Sequence, residues 1–148
     1  MNIEVLTVVL VDDDEDDRLI FKEAIEEIKI KTKLWLFSNG EELMNFLKDP
    51  EQMLPQLVFL DLNMPVKNGM QCLKEIRQSN LLKDLSVAIY STSSSENDIE
   101  DTFIKGANIY IQKPNDFNKL KEVLKEVLKI NWQYFTSSLN RENFLLRI

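Results

Sequence analysis

Short apolar runs alternate with amphipathic stretches along the whole chain. The runs fall at Val5–Val11, Lys33–Phe37, Leu57–Leu60, Ser86–Ser91 and Asn108–Gln112. Most are four to seven residues with little polar interruption, the pattern of strands buried on both faces of a parallel sheet. Between them the apolar positions step at helical spacing. Phe21, Ala24, Ile25 and Ile28 recur at i, i+3, i+4 and i+7, and Leu43, Phe46 and Leu47 repeat the start of that series. Met70, Leu73 and Ile76 step by threes and Ile99 and Phe103 by four, while Phe117, Leu120, Leu124, Val127 and Leu128 mark a last, longer helix. Start and stop signals agree. Ser95 with Asp98 has the form of a capping box, Asn115 can cap the last helix, and Gly106 stands where the fourth helix should stop.

A β-α unit repeated five times specifies an α/β fold: a (βα)5 doubly wound, parallel five-stranded sheet in a three-layer sandwich, with right-handed crossovers. In such sheets a ligand site lies outside the carboxyl ends of the strands, at the point where strand order reverses. The first strand ends in Asp12-Asp13, the third in Asp61, the fourth in Ser91-Thr92 and the fifth in Lys113-Pro114. The second, ending at Phe37-Ser38, offers nothing comparable. Carboxylates, hydroxyls and a lysine therefore converge on one edge, as binding a divalent cation and a phosphoryl group requires.

Composition narrows the chemistry further. The chain has 148 residues, room for one domain with a proper core, and a formal net charge of -7. That charge argues against nucleic acid as a partner, because affinity for a polyanion rests on Lys and Arg neutralising phosphates. Histidine is absent and Cys72 is the single cysteine, which excludes His-based catalysis, a His or Cys-rich metal site and an internal disulfide. A bound metal should then be a hard cation on oxygen ligands. No apolar run approaches the roughly 18 residues that span a bilayer, and the N-terminus lacks the features of a signal peptide. An intracellular, cytoplasmic protein with no membrane association is the expectation. Cys72, beside Leu73 on a helix face, reads as packing.

These strand ends resemble the receiver domain of two-component response regulators. The resemblance rests on Asp12-Asp13, the D-x-x-M-P-x-x-x-G stretch from Asp61 to Gly69, the hydroxyl at Ser91 or Thr92, the aromatic Tyr110 and Lys113-Pro114. It implies a flavodoxin-like fold over residues 1–129, leaving 130–148 as a short extension rather than an output domain. It implies Asp61 as phosphoacceptor, with Lys113 neutralising charge on the transferred group. It further implies Mg²⁺, with Mn²⁺ as a substitute, held directly by Asp13, Asp61 and the Asn63 backbone carbonyl, and by Asp12 through a water. The family's register puts the switch hydroxyl at Ser91, with Thr92 the runner-up. Tyr110 matches the aromatic whose rotamer reports activation, although a sheet-edge tyrosine with its hydroxyl in water fits the residues equally. Pro114 would be preceded by a cis peptide in the family; by sequence it is a helix-start proline. Asp14, Glu15, Asp16 and Asp17 read as first-turn acids of helix one, favoured by the helix dipole.

The expected partners are a sensor histidine kinase or a histidine phosphotransfer protein as donor, and an unidentified downstream protein. On this reading the chain is a phosphoacceptor that loses its own phosphoryl group, not a turnover enzyme. Two rivals are a degenerate receiver used only for binding and a phosphatase of the haloacid-dehalogenase type. The latter needs a second Asp two residues after its nucleophile, where this chain has Asn63. In the tail, Trp132, Phe135 and Phe144 are expected to fold back on the domain, with partner docking or dimer formation as alternatives, and Asn140 to Leu146 to form a short helix.

Overall fold

A computed structural model of the protein describes residues 5–130 and 144–146. The element order is β1 (Leu6–Val11), α1 (Glu15–Glu27), β2 (Thr32–Phe37), α2 (Gly40–Lys48), β3 (Leu57–Leu60), α3 (Gly69–Gln78), β4 (Val87–Ser91), α4 (Glu96–Ile104), β5 (Ile109–Gln112), α5 (Phe117–Leu128) and β6 (Leu145–Leu146). The expected strands lie within a residue of the observed ones. The sheet runs β2-β1-β3-β4-β5-β6, and every pairing is parallel. The chain leaves β1 toward β2 and returns on its other side as β3, so the reversal of strand order falls between β1 and β3.

Strand alternation divides the core in two. Val9, Val11, Val58, Leu60, Val87 and Ile89 face one side, against Leu43 and Leu47 of α2, Leu73 and Ile76 of α3 and Ile99 of α4. Val8, Leu10, Leu57, Phe59, Ala88 and Tyr90 face the other, against Phe21 and Ile25 of α1 and the Leu120, Val123, Leu124 and Val127 stripe of α5. Both faces being covered explains why the strands read as continuous apolar runs. Burying each such side chain contributes roughly 1.5–3 kcal/mol. Phe21, Phe59 and Tyr90 meet edge-on, with ring centroids 5.0 to 6.4 Å apart. Arg77 of α3 closes the end of the sheet opposite the site. It donates to the carbonyls of Lys83, Leu85 and Gly106 and to Asn108 Oδ1, which also accepts from the Val87 amide.

Four expectations need correction. The cap of α5 is Asp116, whose side chain accepts from the Lys119 amide; Asn115 stands one residue too early to reach it. Pro114 accordingly precedes the helix rather than starting it, and the described residues contain no cis peptide bond. Ser95 caps α4 by accepting from the Asp98 amide, but Asp98 turns its carboxylate to the Ser93 hydroxyl instead of completing the box. The fourth concerns the tail. The expected helix does not reach Leu146: Phe144 is helical, but Leu145–Leu146 form a sixth strand beside β5, whose edge offers unpaired backbone groups to an extended segment. Phe144 is fully buried against Phe103 and Tyr110, at centroid distances of 5.3 and 6.2 Å. Trp132, Phe135 and 140–143 lie outside the described residues. Gly106 ends α4 at φ 96, a conformation that favours glycine.

Candidate functional site: carboxylates at the reversal of strand order

The site is assembled by register. Asp12 and Asp61 follow the last residues of β1 and β3, whose termini Val11 and Leu60 are paired, and the Asp61 amide donates to the Val11 carbonyl at 3.1 Å. Lys113 follows β5 and is anchored by its amide to the Ser91 carbonyl at 2.8 Å. Parallel pairing thus carries residues from four distant places in the sequence to one edge. Asp12 is fully buried, Asp61 is 6% exposed and Asp13 stands open to solvent. One carboxylate oxygen from each of the three lies within 4.8 Å of the others, a spacing that can hold a cation.

Electrostatics at this edge is strained in one direction. Burial, and to a lesser degree the Asp12 carboxylate beside it, pushes Asp61 up to about 7, against the pull of Lys113 and the Asn63 backbone. Lys113 is only 10% exposed at its side chain. Its Nζ lies 2.7 Å from Asp12 Oδ2, 2.9 Å from Asp17 Oδ2 and 3.6 Å from Asp61 Oδ2. Burial disfavours the ammonium, but hydrogen bonds to Asp12 and Asp17 and the Asp61 charge outweigh it and hold Lys113 above its ordinary value. A single lysine cannot balance Asp12, Asp13, Asp17 and Asp61. The surplus negative charge on oxygen ligands alone fits a hard divalent cation.

Local sequence explains the shape of the rim. Asp14 caps α1, accepting from the amides of Asp16 and Asp17, while the Asp14 amide donates to Asp12 Oδ1. Arg18 Nη1 donates to the Asp12 carbonyl at 2.7 Å. The loop after β3 turns tightly at Val66, at φ 67, with the Lys67 amide on the Pro65 carbonyl. A β-branched residue adopts that conformation only under constraint. Gly69 begins α3 directly under the phosphoacceptor candidate, where a Cβ would overlap the Asp61 carbonyl. The glycine of the motif is therefore required by close approach.

On the far side of the site Ser91 is fully buried, and its Oγ accepts from the Ser93 amide at 3.1 Å. Thr92 and Asn63 are exposed. Tyr110 is fully buried and its hydroxyl donates to the Ser93 carbonyl at 2.8 Å, which overturns the reading of a tyrosine with its hydroxyl in water. Burial raises its pKa above the ordinary value. Cys72 is buried and pushed up to about 11 by burial, in keeping with packing. The sequence did not single out Ser93, Tyr90 or the contact of Asp17 with Lys113. A first-turn acid facing a strand-end lysine carries no signal in one dimension.

Comparison with known proteins gives a concordant result. The model of the response regulator receiver domain matches residues 8–125. Response regulator Rcp1 of Synechocystis sp. (strain ATCC 27184 / PCC 6803 / Kazusa) is 31% identical over 124 residues, covering 81% of this chain and 82% of that protein. Probable methanogenesis regulatory protein FilR2 of Methanothrix harundinacea is 27% identical over 123 residues, covering 81% and 79% respectively. Among solved structures, the phosphorylated cyanobacterial phytochrome response regulator RcpA superimposes with a TM-score of 0.79 at 28% identity, over 88% of this chain and 96% of that one. The Mn²⁺-bound form of Rcp1 gives 0.76 at 25% identity, over 91% and 97%. The matched span takes in Asp12, Asp61, Ser91 and Lys113, and with them the whole edge just described: the chain belongs to the response regulator receiver domains.

Proposed function

We propose that Asp61 accepts a phosphoryl group from a phosphohistidine donor, with Mg²⁺ held by the Asp13 and Asp61 carboxylates and the Asn63 backbone carbonyl, and by Asp12 through a water. The observation that carries this reading is the Asp12, Asp13 and Asp61 cluster with Lys113 beside it. Bound there, the cation would relieve carboxylate repulsion and neutralise charge on the transferring group. An Asp61 carboxylate oxygen forms the new O–P bond as the donor's N–P bond breaks, and the freed imidazole leaves on the donor. Lys113 donates to the equatorial oxygens, and the packed β1 and β3 termini keep Asp61 in line. Water later hydrolyses the acyl phosphate and restores Asp61.

The chain has no histidine, so the donor is another molecule. Leu19 and Ile20 are 51% and 43% exposed on α1 beside the site, an apolar surface suited to a histidine kinase or phosphotransfer protein. Ser91, with Thr92 as the less favoured choice, is read as the hydroxyl that follows the phosphoryl group, and Tyr110 as the aromatic that moves with it. Output then passes by protein contact, and residues 130–148 act as an extension of the receiver. No helix among the described residues is long and apolar enough to cross a membrane. The haloacid-dehalogenase alternative is disfavoured by Asn63, which cannot serve as acid or base.

The test is labelling. With Mg²⁺ and a small acyl phosphate or a phosphorylated kinase, the protein should gain one base-labile phosphoryl group, mapped to Asp61 by mass spectrometry. Asp61→Asn should abolish it. Wild-type protein that takes no label from either donor would leave a binding module.

A further inference from the structure

Lys113 is committed before any phosphoryl group arrives, and not chiefly to Asp61. An ammonium has three N–H donors. One is directed to Asp12 Oδ2 at 2.7 Å, a second to Asp17 Oδ2 at 2.9 Å, and Asp61 Oδ2 stands beyond hydrogen-bond length at 3.6 Å. The stem is confined as well. Lys113 Nζ lies 5.4 Å from the centroid of the Tyr90 ring, and its side chain is 10% exposed. Asp17 is outside the group of carboxylates that can share a cation. It is also more than a dipole partner for α1, because the turn capped by Asp14 brings its carboxylate across to the β5 terminus.

A cation held by Asp12, Asp13 and Asp61 would draw on the same carboxylates that attract Lys113 and would repel the ammonium. Asp17 is the acceptor left to retain it. We propose that Asp17 is a positioning residue for phosphoryl transfer: it holds the Lys113 ammonium at a stand-off from Asp61 where a phosphoryl oxygen on Asp61 completes the third hydrogen bond. The inference rests on Asp61 as phosphoacceptor. It assigns a role to an acid that otherwise only starts a helix, and it requires no movement of Lys113 away from Asp17 on phosphorylation.

The test uses the full chain with phosphoramidate as donor and saturating Mg²⁺, so that no protein docking surface enters. Asp17→Ala should slow the initial rate of Asp61 labelling about ten- to hundredfold, the scale of a misplaced catalytic group. Mn²⁺ affinity, measured separately by titration, should stay close to wild type. Asp17→Asn, which keeps an acceptor oxygen without the charge, should fall between, and Asp17→Glu should recover part of the rate. In a Lys113→Ala background, Asp17→Ala should add nothing further. An additive loss in that background, an unchanged rate in Asp17→Ala, or a faster rate, which would mean Asp17 withholds the lysine, overturns the proposal. Wild-type protein that fails to label overturns the phosphoacceptor reading and this inference together; labelling that is indifferent to Asp17 overturns this inference alone.

Discussion

Asp61 carries a conflict: the carboxylate proposed as phosphoacceptor sits 6% exposed beside a second, fully buried acid. Its folded value of about 7 lies above the 3.8 of an ordinary aspartate. Between these values the native state binds more protons than the unfolded chain, so stability contributed by this group is lost as pH rises from about 4 to 7. In chelator at pH 7.5, Asp61→Asn should therefore be more stable than wild type, by roughly 2–4 kcal/mol from the size of the shift. The gap should narrow steeply toward pH 4 and close only below the ordinary aspartate value of 3.8, where both states of the wild type are largely protonated. Urea melts across that range measure it, and a gap independent of pH would show that the buried charge is not its source.

Among the elements, β6 is the one without a counterpart in the (βα)5 pattern. Its anchor is Phe144, which fills the space between Phe103 of α4 and Tyr110 of β5. Tyr110 in turn hydrogen-bonds to the loop that holds Ser91. Emptying a buried aromatic site costs about 3–5 kcal/mol in a core, and less here because only a terminal segment is released. Phe144→Ala and truncation after Lys129 should each destabilise the monomer by a similar amount, of order 1–3 kcal/mol at the midpoint, and so lower its melting temperature. Calorimetry decides it. A truncated chain that melts with wild type would remove the tail from the receiver's core. The other helices and strands need no such help, since each buries an apolar stripe readable at its own period.

For the molecule as a whole, a cation held by Asp12, Asp13 and Asp61 would offset the carboxylate charge that Lys113 alone does not balance. Binding to the native state alone stabilises it by mass action, about 2.7 kcal/mol at a hundredfold excess over Kd. Adding Mg²⁺ to chelated protein should raise the melting temperature, and the rise should be larger at pH 8 than at pH 6, because the cation displaces the proton that Asp61 otherwise retains. Asp13→Asn removes the solvent-facing member of the cluster and should weaken both the thermal shift and phosphorylation. Equal Mg²⁺ affinity in wild type and Asp13→Asn, by titration calorimetry, would take Asp13 out of the site.

Fold class and the grouping of the candidate site residues at one sheet edge were legible in one dimension because both depend on local rules. Strands buried on two faces are apolar runs, helices against them repeat every three or four residues, and in a parallel sheet chemistry collects at strand ends. Asp12, Asp13, Asp61 and Lys113 could be named from that alone, and the receiver resemblance added their roles. What tertiary structure decided were the contacts between residues that no periodicity links. Asp17 looks like any first-turn acid until α1 is set against β5 and Lys113 comes within 2.9 Å. Tyr110 could face water or core until β6 covers its edge. Asp116 rather than Asn115 caps α5, a one-residue choice made by where the loop after β5 lets the helix begin. The physical reason is common to the first two. Period and propensity act between neighbours in the chain, whereas the partner of a charge or a ring is selected by packing between distant parts of the sequence, 96 residues apart for Asp17 and Lys113 and with α5 lying between them in the chain for Phe144 and Tyr110.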